Sequence, residues 1–128
     1  MPYLQRNRNY PSTDELSPHD LRHVTDHFAT YGSELMVDGE VIQWGAIEEV
    51  EVARAPGVMG AVGWLVKQLT RGGSEERYHV AMYYGFREAV LHDITLEEAR
   101  YLLNAVAYYA PHPVRYSGPL DIVPITEY

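Results

Sequence analysis

Three of the chain's six histidines, His19, His23 and His27, recur at every fourth position. On a helix this spacing sets three imidazoles along one flank, roughly opposite Leu21, Val24 and Phe28, with Asp20 and Asp26 close by. Neutral imidazoles beside a carboxylate are a donor set for zinc, nickel or iron(II). The spacing lacks the His-Glu-x-x-His pattern, in which a glutamate serves as base. The trio therefore has three readings. It is a solvated histidine surface, a site for a divalent transition metal in a metal-dependent or small-ligand-binding enzyme, or a surface that responds to pH.

Other chemistry is thinly represented. His79 and His92 have Glu88 and Asp93 nearby to orient them, yet no Ser, Thr or Lys stands in a nucleophile context. There is no Gly-x-Ser-x-Gly, no phosphate-cradling glycine loop and no dinucleotide fingerprint. Glu48, Glu49 and Glu51 read as the charged, exposed positions of a strand rather than as paired acids. No cysteine is present, which removes disulfides, thiolate nucleophiles and Cys-ligated zinc together. The expectation is a binding module that needs no cofactor, rather than an enzyme.

These side chains must be held by a series of short strands and one strong helix. Ser17-Pro18-His19-Asp20 is a helix start, with Ser17 able to accept from the Asp20 amide and Pro18 suited to the first turn. The pattern predicts a short helix over 18–25 and then a strand entering Gly32. Asp38-Gly39 is a two-residue hairpin turn, since both residues tolerate positive φ. Leu35 and Val37 should share a face before it, Val41 and Gln43 after it. Ile47, Val50 and Val52 mark the buried positions of the next strand. A second hairpin runs through Tyr78–Tyr84 and Arg87–Leu91 around Gly85. Thr95-Leu-Glu-Glu98 is a capping box opening a helix from Leu96 to about Tyr109, whose apolar face carries Leu96, Ala99, Leu102, Leu103, Val106 and Ala110. Residues 1–16 read as an arm or loosely docked segment. Residues 111–128 read as an extension in which Leu120-Asp-Ile-Val123 suits an edge strand, on its own sheet or a neighbour's.

Residues 58–71 are unlike the rest. Val58, Val62, Leu65 and Leu69 recur at helical spacing, which predicts an inserted helical segment, although Gly60 and Gly63 each weaken a helix by about 1 kcal/mol. Residues 54–77 carry four cationic side chains against two acidic ones. Val58, Met59, Trp64, Leu65, Lys67 and Arg71 are accordingly candidate contact residues, for a protein partner, a second copy of the chain, or a peripheral membrane surface.

At 128 residues the chain is one domain on size. Its net charge of −8 argues against nucleic acid as a general partner, because phosphate neutralisation supplies most of that affinity. The charge is uneven: residues 1–10 carry Arg6 and Arg8 and no acid. No apolar signal core or membrane-length run is present, so a cytoplasmic protein is expected. Eleven tyrosines, among them Tyr83-Tyr84, Tyr101 and Tyr108-Tyr109, suit a partly self-associating surface, because tyrosine offers large amphipathic contact area.

The run from Leu35 to Val50, with Ile42, Trp44, Ile47 and Val50 at its apolar steps, resembles the opening of bacterial pleckstrin-homology-like domains. The second hairpin and the terminal amphipathic helix extend that resemblance over about residues 26–110. It departs at residues 56–74 and 111–128. The resemblance implies an α+β fold, a bent antiparallel sheet or small open barrel capped by the helix at about 95–110, together with a role in binding and assembly. It brings no catalytic residues. A homo-oligomeric, non-enzymatic module is the resulting expectation.

Overall fold

The capping box at Thr95 forms as the sequence predicts. The Thr95 hydroxyl accepts from the Glu98 amide, and the Glu98 carboxylate accepts from the Thr95 amide at 2.8 Å. Both reciprocal bonds satisfy helix-end donors that would otherwise be orphaned. They start the helix Leu96–Tyr109, here α2, whose buried face includes Ala99, Leu102, Leu103 and Val106. In the same way Ser17 caps the helix Pro18–His27 (α1) by accepting from the Asp20 amide.

A computed structural model describes residues 2–54 and 77–127 of the chain. The described residues form a mixed α+β fold of nine strands in two open sheets with two helices. The strands are β1 (Pro2–Leu4), β2 (Phe28–Thr30), β3 (Glu34–Val37), β4 (Glu40–Gln43), β5 (Ile47–Arg54), β6 (Tyr78–Tyr84), β7 (Arg87–Ile94), β8 (Arg115–Ser117) and β9 (Ile125–Glu127). β2, β3 and β4 make a small antiparallel sheet, and the other six run in the order β7-β6-β5-β8-β1-β9. The inserted segment at 58–71 lies outside the described residues.

Four expectations need correction. Residues 2–4 are not a loose arm: β1 pairs with both β8 and β9. Leu120–Val123 do not form the edge strand; β8 and β9 flank them instead. Along α1, Val24 and Phe28 are buried, but Leu21 is 41% exposed because the helix turns that position away from the sheet. Finally, β4 points Ile42 and not Val41 into the core. The two-residue turn sets Leu35 opposite Ile42 and Val37 opposite Glu40. Directly opposed residues share a face, so a one-residue error moves every side chain to the other side.

The core lies between the sheets and α2, with Trp44, Ile47, Val50, Tyr78, Met82 and Tyr116 among its largest members. Glu40 ties the small sheet to the second hairpin. Its carboxylate accepts from the Tyr84 hydroxyl and pairs with Arg87 at 3.0 Å. Where β8 leaves β5, Gly118 has φ +147 and an added Cβ would stand 2.6 Å from the Val52 carbonyl oxygen. Only glycine satisfies both constraints there.

Candidate functional site

The last two turns of α1 bring His23 and His27 together, with ring centroids 4.8 Å apart and planes at 65°. Each ring is fixed through Nδ1 by a carboxylate from elsewhere in the fold. His23 meets Glu98 Oε1 at 2.9 Å, and His27 meets Asp38 Oδ1 at 2.5 Å. A carboxylate accepts and does not donate, so each imidazole presents its Nδ1 proton there, and in the neutral ring the lone pair lies on Nε2. The His23 and His27 side chains are 34% and 42% exposed, so both are partly open to solvent.

The supports of the pair come from sequence-local devices. Glu98 is 1% exposed, and its second oxygen is already committed to the Thr95 amide, so the capping box and His23 together satisfy a buried carboxylate. Asp38 sits at φ 50 in the first position of the β3–β4 turn, a conformation that Asp accepts more readily than most residues. Its amide donates to the His27 carbonyl at 2.9 Å while its carboxylate accepts from the His27 ring. The turn and the end of α1 are thereby tied twice.

His19, the third member of the predicted trio, is placed elsewhere. It lines a cavity with Glu15, Asp20, Arg77 and Glu97 near the start of α1. Among the described residues no group of three or more His, Asp or Glu side chains is placed to hold one metal ion. The six predicted contact residues, Val58, Met59, Trp64, Leu65, Lys67 and Arg71, lie outside the described residues.

His79 and His92 also meet, across β6 and β7, at 4.9 Å and 73°. Here Nδ1 of each ring faces the other at 3.3 Å, and the Asp93 amide donates to His79 Nδ1 at 3.2 Å. The orienting group is thus the backbone of Asp93 and not its carboxylate.

Two features escaped sequence reasoning. His112 has both ring nitrogens on carbonyl oxygens, Pro113 at 2.9 Å and Gly45 at 2.8 Å. Both contacts can be hydrogen bonds only in the imidazolium form, so the Pro113 and then the Gly45 carbonyl raise its pKa above the ordinary value. The second feature is the joining of Trp44 and Tyr10 to the predicted Tyr108-Tyr109 pair in one aromatic face. Tyr109 stacks on buried Trp44 at 4.7 Å, Tyr108 stands edge-on to Tyr109 at 4.9 Å, and Tyr10 lies edge-on to Tyr108 at 5.7 Å. Residues 4–10 reach it by running across the end of α2, with the Leu4 amide on the Val114 carbonyl and the Asn7 amide on the Ala107 carbonyl. Arg6 and Arg8 are exposed along the same segment and line a cavity with Asn104, Pro124 and Thr126. The predicted tyrosine cluster is therefore divided, because Tyr83 and Tyr84 bond instead to Glu51 and Glu40.

No family model, curated protein or solved structure matches this chain. Among the described residues no helix is long and apolar enough to cross a membrane.

Proposed function

We propose that the chain is a non-enzymatic assembly module of the pleckstrin-homology-like kind, and that it associates with further copies of itself. The observation that carries this reading is Tyr10. It is 69% exposed yet held edge-on by Tyr108 and Tyr109, on a segment that also carries exposed Arg6 and Arg8. Tyrosine and arginine are the residue types that dominate binding hot spots, and a pre-ordered ring loses little entropy on contact.

Charge supports a second copy as the occupant. The arm is cationic within a chain of net charge −8, and the outer face of β5–β7 is acidic. Glu49, Tyr83 and Glu88 lie in one cross-strand row, with Glu51 beside them bonded to Tyr83. The arginine and tyrosine patch of one copy fits this acidic face on the next. Such a head-to-tail contact builds rings or open filaments.

Sedimentation of the full chain over a range of concentration and salt tests the reading. The expected result is association that rises with concentration, weakens with salt, and is lost in Tyr10→Ala and in Arg8→Glu. The double charge swap Arg8→Glu with Glu51→Lys should restore it. A chain that stays monomeric at every concentration overturns the proposal.

A further inference from the structure

The geometry points to a divalent metal site formed by Nε2 of His23 and Nε2 of His27. It differs from the predicted trio in its ligands, its orientation and the role of its carboxylates. Two imidazoles one helical turn apart, 4.8 Å between ring centroids, are neighbours on one helix flank. Their Nδ1 protons are already directed at Glu98 and Asp38. That is the arrangement that metal-binding histidines commonly have. The nitrogen away from the metal donates to a carboxylate, which fixes the tautomer, sets the ring orientation and raises ligand basicity.

Three observations make the pair ready for an ion. Neither Nε2 atom has a hydrogen-bond partner among the described residues. Both side chains are partly exposed, so water and ions reach the pair. The carboxylates add negative charge one atom layer behind the imidazoles without competing for the ion. Glu98 also accepts from the Thr95 amide, and Asp38 accepts from the His27 ring. Two neutral nitrogen donors with water filling the other positions suit a first-row ion of borderline softness, such as zinc, nickel or copper(II), and do not suit magnesium or calcium.

Calorimetric titration of the full chain with Zn²⁺, followed in parallel by ¹⁵N resonances of the histidine rings, tests the assignment. The expected stoichiometry is one ion per chain, with the Nε2 resonances of His23 and His27 shifting while their Nδ1 atoms stay protonated. His27→Gln, with the fold checked by circular dichroism, should weaken binding by more than about tenfold. His23→Gln, whose amide still donates to Glu98, should do the same. His19→Gln should leave affinity unchanged. Absence of saturable binding overturns the site, as does retention of the ion in the His23→Gln, His27→Gln double variant. Loss of binding in His19→Gln would overturn the two-ligand assignment.

Discussion

The two histidine pairs are nearly superposable as ring contacts and opposite as chemistry. In α1 the rings lie 4.8 Å apart at 65°, and across β6 and β7 they lie 4.9 Å apart at 73°. In the first pair each Nδ1 faces a carboxylate. In the second the two Nδ1 atoms face each other, and a backbone amide donates to one of them. An amide donor at His79 Nδ1 forces the proton onto Nε2, the reverse of the tautomer that Glu98 and Asp38 select. Ring proximity therefore says little. The partner on the far nitrogen decides whether a pair of imidazoles can act as a donor set.

The contrast can be broken most severely at Glu98. Glu98→Ala leaves the Thr95 amide and the His23 ring without their buried acceptor, at an expected cost of about 3 kcal/mol in urea unfolding. A loss no larger than that of an exposed ion pair, about 0.5 kcal/mol, would mean that the carboxylate does not join the helix cap to His23. Next in size is metal affinity: His79→Gln and His92→Gln should leave Zn²⁺ binding where it was, against the greater than about tenfold loss expected in α1. Equal losses at both pairs would erase the distinction. For stability the hairpin pair is worth little more than any cross-strand contact, so His92→Ala should cost about 0.5 kcal/mol.

The smallest effect separates a third wiring from both pairs. His112 gives both ring nitrogens to carbonyls, and its folded pKa is raised above 6.5. A raised folded pKa contributes stability that is fully present below the unfolded value and lost as pH rises through the folded one. The melting temperature should therefore drop slightly as pH rises through that raised value. His112→Gln, which offers one donor at every pH, should flatten the step. A step that persists in the variant would assign it to another group.

How much of this was legible follows from distance along the chain. Ser17 and Asp20, Thr95 and Glu98, and Asp38 and Gly39 act within three residues of each other, so their devices can be read directly from residue type. The helix at 96–109 was legible because one long apolar stripe repeats at a single period. The His23–Glu98 bond spans 75 positions, and nothing local marks Glu98 as the acceptor of a distant ring. Helical spacing put His19 on the same flank as His23 and His27. It could not reveal that the two supporting carboxylates lie only beside the later turns. Val41 and Ile42 are both apolar, so composition did not fix which faced inward; the turn length did. β1, β8 and β9 have three residues each, too few for any alternation to declare itself. Tyr10 gave no signal because its importance arises only where residues 4–10 cross α2.

The position of β1 has a consequence for how the chain is made. Tyr3 lies opposite Arg115 on one side and Thr126 on the other, so this strand is synthesised long before either of its neighbours. The hairpins at Asp38 and Gly85 and the helix opened by Thr95 can each gather as synthesis proceeds. The six-stranded sheet must stay open at its middle until β8 has emerged. Contacts this distant in sequence slow folding and leave an unsatisfied strand edge exposed in the meantime. A nascent chain stalled before residue 115 would therefore carry the opening strand with no one to pair with, an early target for chaperones.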